Sequence, residues 1–97
     1  MSTVFPVTFR FASHLVPTAR AVSVVGSFNG WNPATHPMRL AEDAKWTITV
    51  YLSPGRAVYQ FAVDGVMWLD PADDGRIPNG WGSEYSVRRV ALGTPTS

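Results

Sequence analysis

Eight consecutive residues, Lys45 to Leu52 (K-W-T-I-T-V-Y-L), place Trp46, Ile48, Val50 and Leu52 at every second position. In an extended chain successive side chains point to opposite faces, so these four share one apolar face and Lys45, Thr47, Thr49 and Tyr51 share the other. Such a strand must bury that face against a second layer. Trp46 is therefore expected in a core.

The same period runs through Val4 to Phe11, where Phe5, Val7, Phe9 and Phe11 face one way and Val4, Thr8 and Arg10 the other. Pro6 has no N–H to donate, which assigns this strand to an edge or to an irregular start. Ala12 to Arg20 reads as a connection, Ala21 to Val25 as a strand, Met38 to Leu40 as a short strand and Ala41 to Ala44 as a polar turn. After Ser53-Pro54-Gly55, Ala57 to Asp64 alternates again, with Tyr59, Phe61 and Val63 opposite Val58, Gln60 and Ala62. So short a turn predicts antiparallel pairing with Lys45–Leu52. Asp64-Gly65 is a hairpin signal leading into Val66–Leu69. Asp70 to Gly82 has no period and many turn residues, and reads as one long loop. Glu84 to Leu92, with Tyr85, Val87 and Val90, is the last strand. No window carries a helical period. The expectation is an all-β, antiparallel sandwich of about seven or eight short strands, one domain over residues 1–92, with 93–97 a disordered tail.

Between strands, V-S-V-V-G-S-F-N-G-W-N-P (Val22 to Pro33) sets Phe28 and Trp31 among turn formers. That presents Trp31 on a stiff loop. Trp68 and Trp81 also lie in or just beyond Gly-containing turns. A pyranose offers an apolar, slightly positive C–H face to an indole ring, while its equatorial hydroxyls seek donors and acceptors. The competing reading makes these rings end caps of the sandwich.

Net charge is +1, with eight basic residues of which only Arg88 and Arg89 are adjacent. On a strand those two point to opposite faces and read as rim charges, so a nucleic-acid partner is not expected. The chain has no cysteine, hence no disulfide or thiolate metal site. Neither a secretion signal nor a membrane span is encoded, which makes the expected location cytoplasmic. His14 and His36 lack partners at a catalytic spacing. Asp70, Asp73 and Asp74 suit turn chemistry better than calcium, because the twelve-residue calcium-loop pattern is missing. No cofactor or metal is expected.

Four landmarks, G-S-F-N-G-W-N-P, Y-Q-F-A-V-D-G-V-M-W (Tyr59 to Trp68), the Asp70-Pro71 pair and N-G-W-G-S-E-Y-S-V (Asn79 to Val87), give the chain a resemblance to carbohydrate-binding module family 48. The family includes the glycogen-binding domain of the AMP-activated protein kinase beta subunit and early-set N-terminal domains of branching and debranching enzymes. The resemblance spans Val4 to Val90. It implies an immunoglobulin-like, early-set sandwich that binds α-1,4-glucans such as glycogen, starch or maltooligosaccharides without cleaving them. Trp31 matches a stacking tryptophan, and Trp68 matches the second with one more residue between turn and ring. Trp81 matches an inserting apolar residue and Ser83 its hydroxyl-bearing neighbour. Gln60 stands where the kinase domain has a lysine, and Tyr85 where it has an asparagine. The platform so implied is Trp31 with Trp68, closed by Trp81, with Gln60, Asn79 and Ser83 bonding hydroxyls. The alternative is a packing or interaction domain, serving a catalytic or kinase partner, in which the same aromatics anchor protein rather than sugar.

Overall fold

The structure, a computed structural model, describes residues 4–90; the expected tail at 93–97 lies outside them. Eight strands form two antiparallel sheets: β1 Phe5–Ala12, β2 Val22–Gly26, β3 Arg39–Leu40, β4 Lys45–Leu52, β5 Gly55–Val63, β6 Val66–Trp68, β7 Gly75–Pro78 and β8 Glu84–Val90. One sheet has the order β1-β4-β3, the other β2-β5-β8-β7 with β6 also on β5. The alternating runs become strands as expected. Among the described residues the helical content is a single 3-10 turn at Ser13–Leu15, and no helix is long and apolar enough to cross a membrane.

The core lies between the sheets. Val7, Phe9 and Phe11 of β1 meet Val22 and Val24 of β2 and Ala57, Tyr59, Phe61 and Val63 of β5, all buried. The rings interlock edge-on, Phe9 with Tyr59 at 4.8 Å between centroids and Phe11 with Phe61 at 5.2 Å. Such pairs add about 0.5–1.5 kcal/mol each beyond the area they bury. Trp46 is half-buried, packing on the margin of this core rather than within it. Pro6 falls on β1, an edge strand, where its missing N–H breaks no ladder.

Two expectations are corrected. The strands β4 and β5 do not form a hairpin, because they belong to different sheets. Both edges of β4 are taken by β1 and β3, and both edges of β5 by β2 and by β6 with β8. Each then turns its apolar face to the other across the core. The crossing is made at Ser53-Pro54 and at Gly55, whose φ of 124° favours glycine. Nor is Asp70–Gly82 one loop: it contains β7, which pairs with β8 from Gly75↔Val87 to Pro78↔Glu84. A four-residue edge strand with one Gly, one Pro and a lone apolar residue, Ile77, shows too little period to stand out from turns.

Candidate functional site

The β2–β3 loop is fixed from within by Asn29. Its Oδ1 accepts the Gly26 N–H at 3.0 Å, and its amide donates to the Val24 carbonyl at 3.0 Å and to His36 Nδ1 at 2.9 Å. Phe28 stacks on core Phe9 with 5.9 Å between centroids. A Cβ at Gly26 would lie 2.5 Å from the Val58 carbonyl oxygen and 2.6 Å from the Phe28 ring, so the loop can close this tightly only over glycine. His36 is thus a brace of the loop. Trp31 sits at φ 61°, in the left-handed region, held by its N–H bond to the Gly26 carbonyl at 3.0 Å. For a bulky residue that conformation is uncommon and strained.

Strand register decides which side chains join it. Tyr59 and Phe61 point into the core, so Gln60 and Ala62 point outward from the five-stranded sheet. Tyr59 pairs with buried Ser86, which turns Tyr85 outward beside Gln60, with Ile77 across from it on β7. The Trp31 ring packs on the Tyr85 ring, 4.6 Å between centroids at 32°. Gln60 Nε2 makes a long 3.5 Å bond to the Glu84 carbonyl. Beyond Tyr85, the β7–β8 tip carries Trp81, 86% exposed, and Ser83, also exposed. Asn79 closes that tip: its Oδ1 accepts the N–H of Trp81 at 2.8 Å and of Ser83 at 3.2 Å. Only its amide N–H groups remain for another partner.

Trp68 does not join this face. It pairs with Phe61 on β6, shares the inward side, and meets Phe11 edge-on at 5.6 Å and 80°. The extra residue after the Asp64-Gly65 turn has moved the ring by one position, and in a strand one position is the opposite face. Met67, paired with Ala62, takes the outward place and is 47% exposed. Trp31 and Trp68 therefore do not share a face as expected; the ring that packs on Trp31 is Tyr85, on the same face as Met67.

The acids that cluster in the sequence are engaged internally. Buried Asp70 accepts the Tyr59 hydroxyl and the Ala72 N–H, and pairs with Arg88 at 3.5 Å. Its own N–H donates to Ser86 Oγ at 2.8 Å. Asp73 pairs with Arg76 at 3.0 Å, and Asp74 accepts the Arg89 N–H at 2.8 Å. Burial, reinforced by the Asp70 carboxylate, pushes the Tyr59 phenol well above its ordinary range. Arg88 is not a rim charge: it enters between the layers, over the Phe9 ring at 5.2 Å. Alternation in the sequence sets Ser86 and Arg88 opposite Tyr85 and Val87, and only the register with Tyr59 turns them inward, so no local signal marked this network. Among the described residues no three His, Cys, Asp or Glu side chains converge as a metal-binding group.

Fold and surface together define a class, the immunoglobulin-like β-sandwich with an aromatic pair displayed on an open sheet face. Residues 8–88 match the model of the family described as carbohydrate-binding module 48 (isoamylase N-terminal domain), and the chain belongs to that family. It is similar to the 1,4-alpha-glucan branching enzyme GlgB of Pseudomonas syringae pv. tomato, 49% identical over 57 residues, covering 57% of this chain and 8% of the enzyme. The Rhodopseudomonas palustris (strain BisB5) enzyme is 48% identical over 54 residues, 53% of this chain and 7% of that protein. That of Corynebacterium jeikeium is 43% identical over 61 residues, 59% and 8% respectively. The chain thus spans less than a tenth of the length of these relatives.

Proposed function

We propose that this chain is a non-catalytic module that holds α-1,4-linked glucans on the outer face of its five-stranded sheet. The observation that carries the reading is the Trp31–Tyr85 pair, a left-handed tryptophan stacked on an outward tyrosine in a carbohydrate-binding family. A bulky residue held in the left-handed region supports a functional use of its ring. A glucose unit stacks its C–H face on this pair, and the thioether of Met67 extends the apolar surface. Trp81 approaches from the hairpin tip. Hydroxyls bond to the Gln60 amide, the Ser83 hydroxyl and the Asn79 amide N–H groups.

An open face of this kind covers little of its ligand, so short oligosaccharides bind at about 10 μM to 1 mM. Long glucans gain by offering overlapping sites. Co-sedimentation with glycogen tests the reading: Trp31→Ala and Tyr85→Ala each lower the bound fraction, and retention equal to wild type in both variants refutes it. The second reading is a packing domain for a catalytic or kinase partner, favoured by the small share of the branching enzymes that matches this chain. It predicts no sugar-dependent change in tryptophan fluorescence.

A further inference from the structure

A second concavity lies away from the aromatic face, along the edge of β1 that is unpaired among the described residues. It encloses about 400 Å³ between β1, the 3-10 turn and the Asp70–Ala72 turn. That falls within the range of small-molecule sites, roughly 300–1,000 Å³. Its apolar lining includes Phe11, Leu15 and Pro71, and its basic groups are Arg10, His14, Lys45 and Arg88. Among the described residues the one acid in the lining, Asp70, is occupied by Tyr59, Ala72 and Arg88. Among the described residues, neither Arg10 nor Lys45 has a carboxylate within ion-pair distance. The cleft therefore carries a surplus of positive charge.

The backbone adds donors. The Thr8 carbonyl accepts Arg88 Nη1 at 3.1 Å, which fixes Thr8 as a residue whose main-chain groups face away from β4. In an antiparallel ladder that orientation repeats every second residue, so the N–H groups of Arg10 and Ala12, with their carbonyls, also point to the edge away from β4. An added strand has no room to run. Arg88 already holds Thr8, Pro6 has no N–H, and beyond Ala12 the chain turns, with the Ser13 N–H bonded to the Ala44 carbonyl on the β4 side. Two residues of free edge are short of the three to ten that strands use. The site fits a compact anion.

We propose that this cleft binds a small phosphomonoester with an apolar body: the phosphate takes the Arg10 and Lys45 side chains and a main-chain N–H of the β1 edge, and the body rests against the exposed Leu15 and Pro71. This inference stands apart from glucan binding. The probe is phenyl phosphate, titrated into the ¹⁵N-labelled chain while amide shifts are followed. Saturable movement of the Arg10 and Ala12 amides is expected, with a midpoint on the order of 1 mM. Inorganic phosphate, without the body, and benzoate, with a single charge, each bind about fivefold or more weakly, and phenol moves neither amide. The Arg10→Ala/Lys45→Ala double variant weakens the midpoint about tenfold, with core amides unchanged to show that the fold is kept. A flat response to about 10 mM phenyl phosphate overturns the proposal. So does an unaltered midpoint in the folded double variant, or equal binding of inorganic phosphate or benzoate.

Discussion

Replacing Tyr59 by Phe isolates one hydrogen bond of the buried network. The ring stays against Phe9 and Phe61, and the Asp70 carboxylate keeps Arg88 and the Ala72 N–H. What is lost is one bond to a charged acceptor, worth about 1.5–3 kcal/mol; about 2 is the working figure at neutral pH. The loss must shrink in alkali. A phenol whose folded pKa is raised contributes stability fully below its unfolded pKa, 10.0 for tyrosine, and loses it as pH rises toward the folded value. Between the unfolded and the folded value the unfolded state releases the Tyr59 proton while the folded state keeps it, at about 1.4 kcal/mol per pH unit. At about pH 11 the gap between wild type and Tyr59→Phe should fall from about 2 to about 0.6 kcal/mol. Urea unfolding of both proteins at about pH 8 and about pH 11 measures it, since every other titrating group is common to the pair. A gap that stays constant, or widens, refutes the buried Tyr59–Asp70 assignment.

Gly26→Ala should cost about 1–3 kcal/mol in a thermal or urea melt, because its Cβ meets the Val58 carbonyl and Phe28. Ala44→Gly should instead stabilise by about 0.5–1 kcal/mol, as Ala44 sits at φ 64°; the same melts show the sign. Trp68→Ala should lower stability by roughly 2–3 kcal/mol, being half-buried against Phe11, while leaving glycogen retention of the folded protein near wild type. Met67→Trp restores a ring to the outward position and should tighten maltoheptaose binding about threefold or more by calorimetry.

Most of the sandwich was legible because alternation is a local property. Lys45–Leu52 shows it in every residue and has the expected bounds. What failed depended on partners. The Ser53–Gly55 turn is that of a hairpin by length, yet the edges it would have joined are claimed by strands distant in sequence. At the candidate site, Trp31 was readable from Gly26, Asn29 and Gly30, whose roles are conformational and close at hand. Trp68 misled because motif matching aligns residue types while a strand sorts positions by parity, and counting from Gly65 would have turned it inward. Tyr85 appeared as a departure from the family pattern, and only the register with Ser86 shows that it meets Trp31. The Tyr59–Asp70–Ser86–Arg88 network joins residues up to 29 positions apart, beyond any local pattern.

The most direct test of glucan binding on the Trp31–Tyr85 face is a maltoheptaose titration followed by intrinsic tryptophan fluorescence, on wild type and Trp31→Ala. A saturable change with a midpoint of about 10 μM to 1 mM in wild type, absent from the variant, is predicted. A flat wild-type response to about 10 mM, or the same curve in Trp31→Ala, contradicts it.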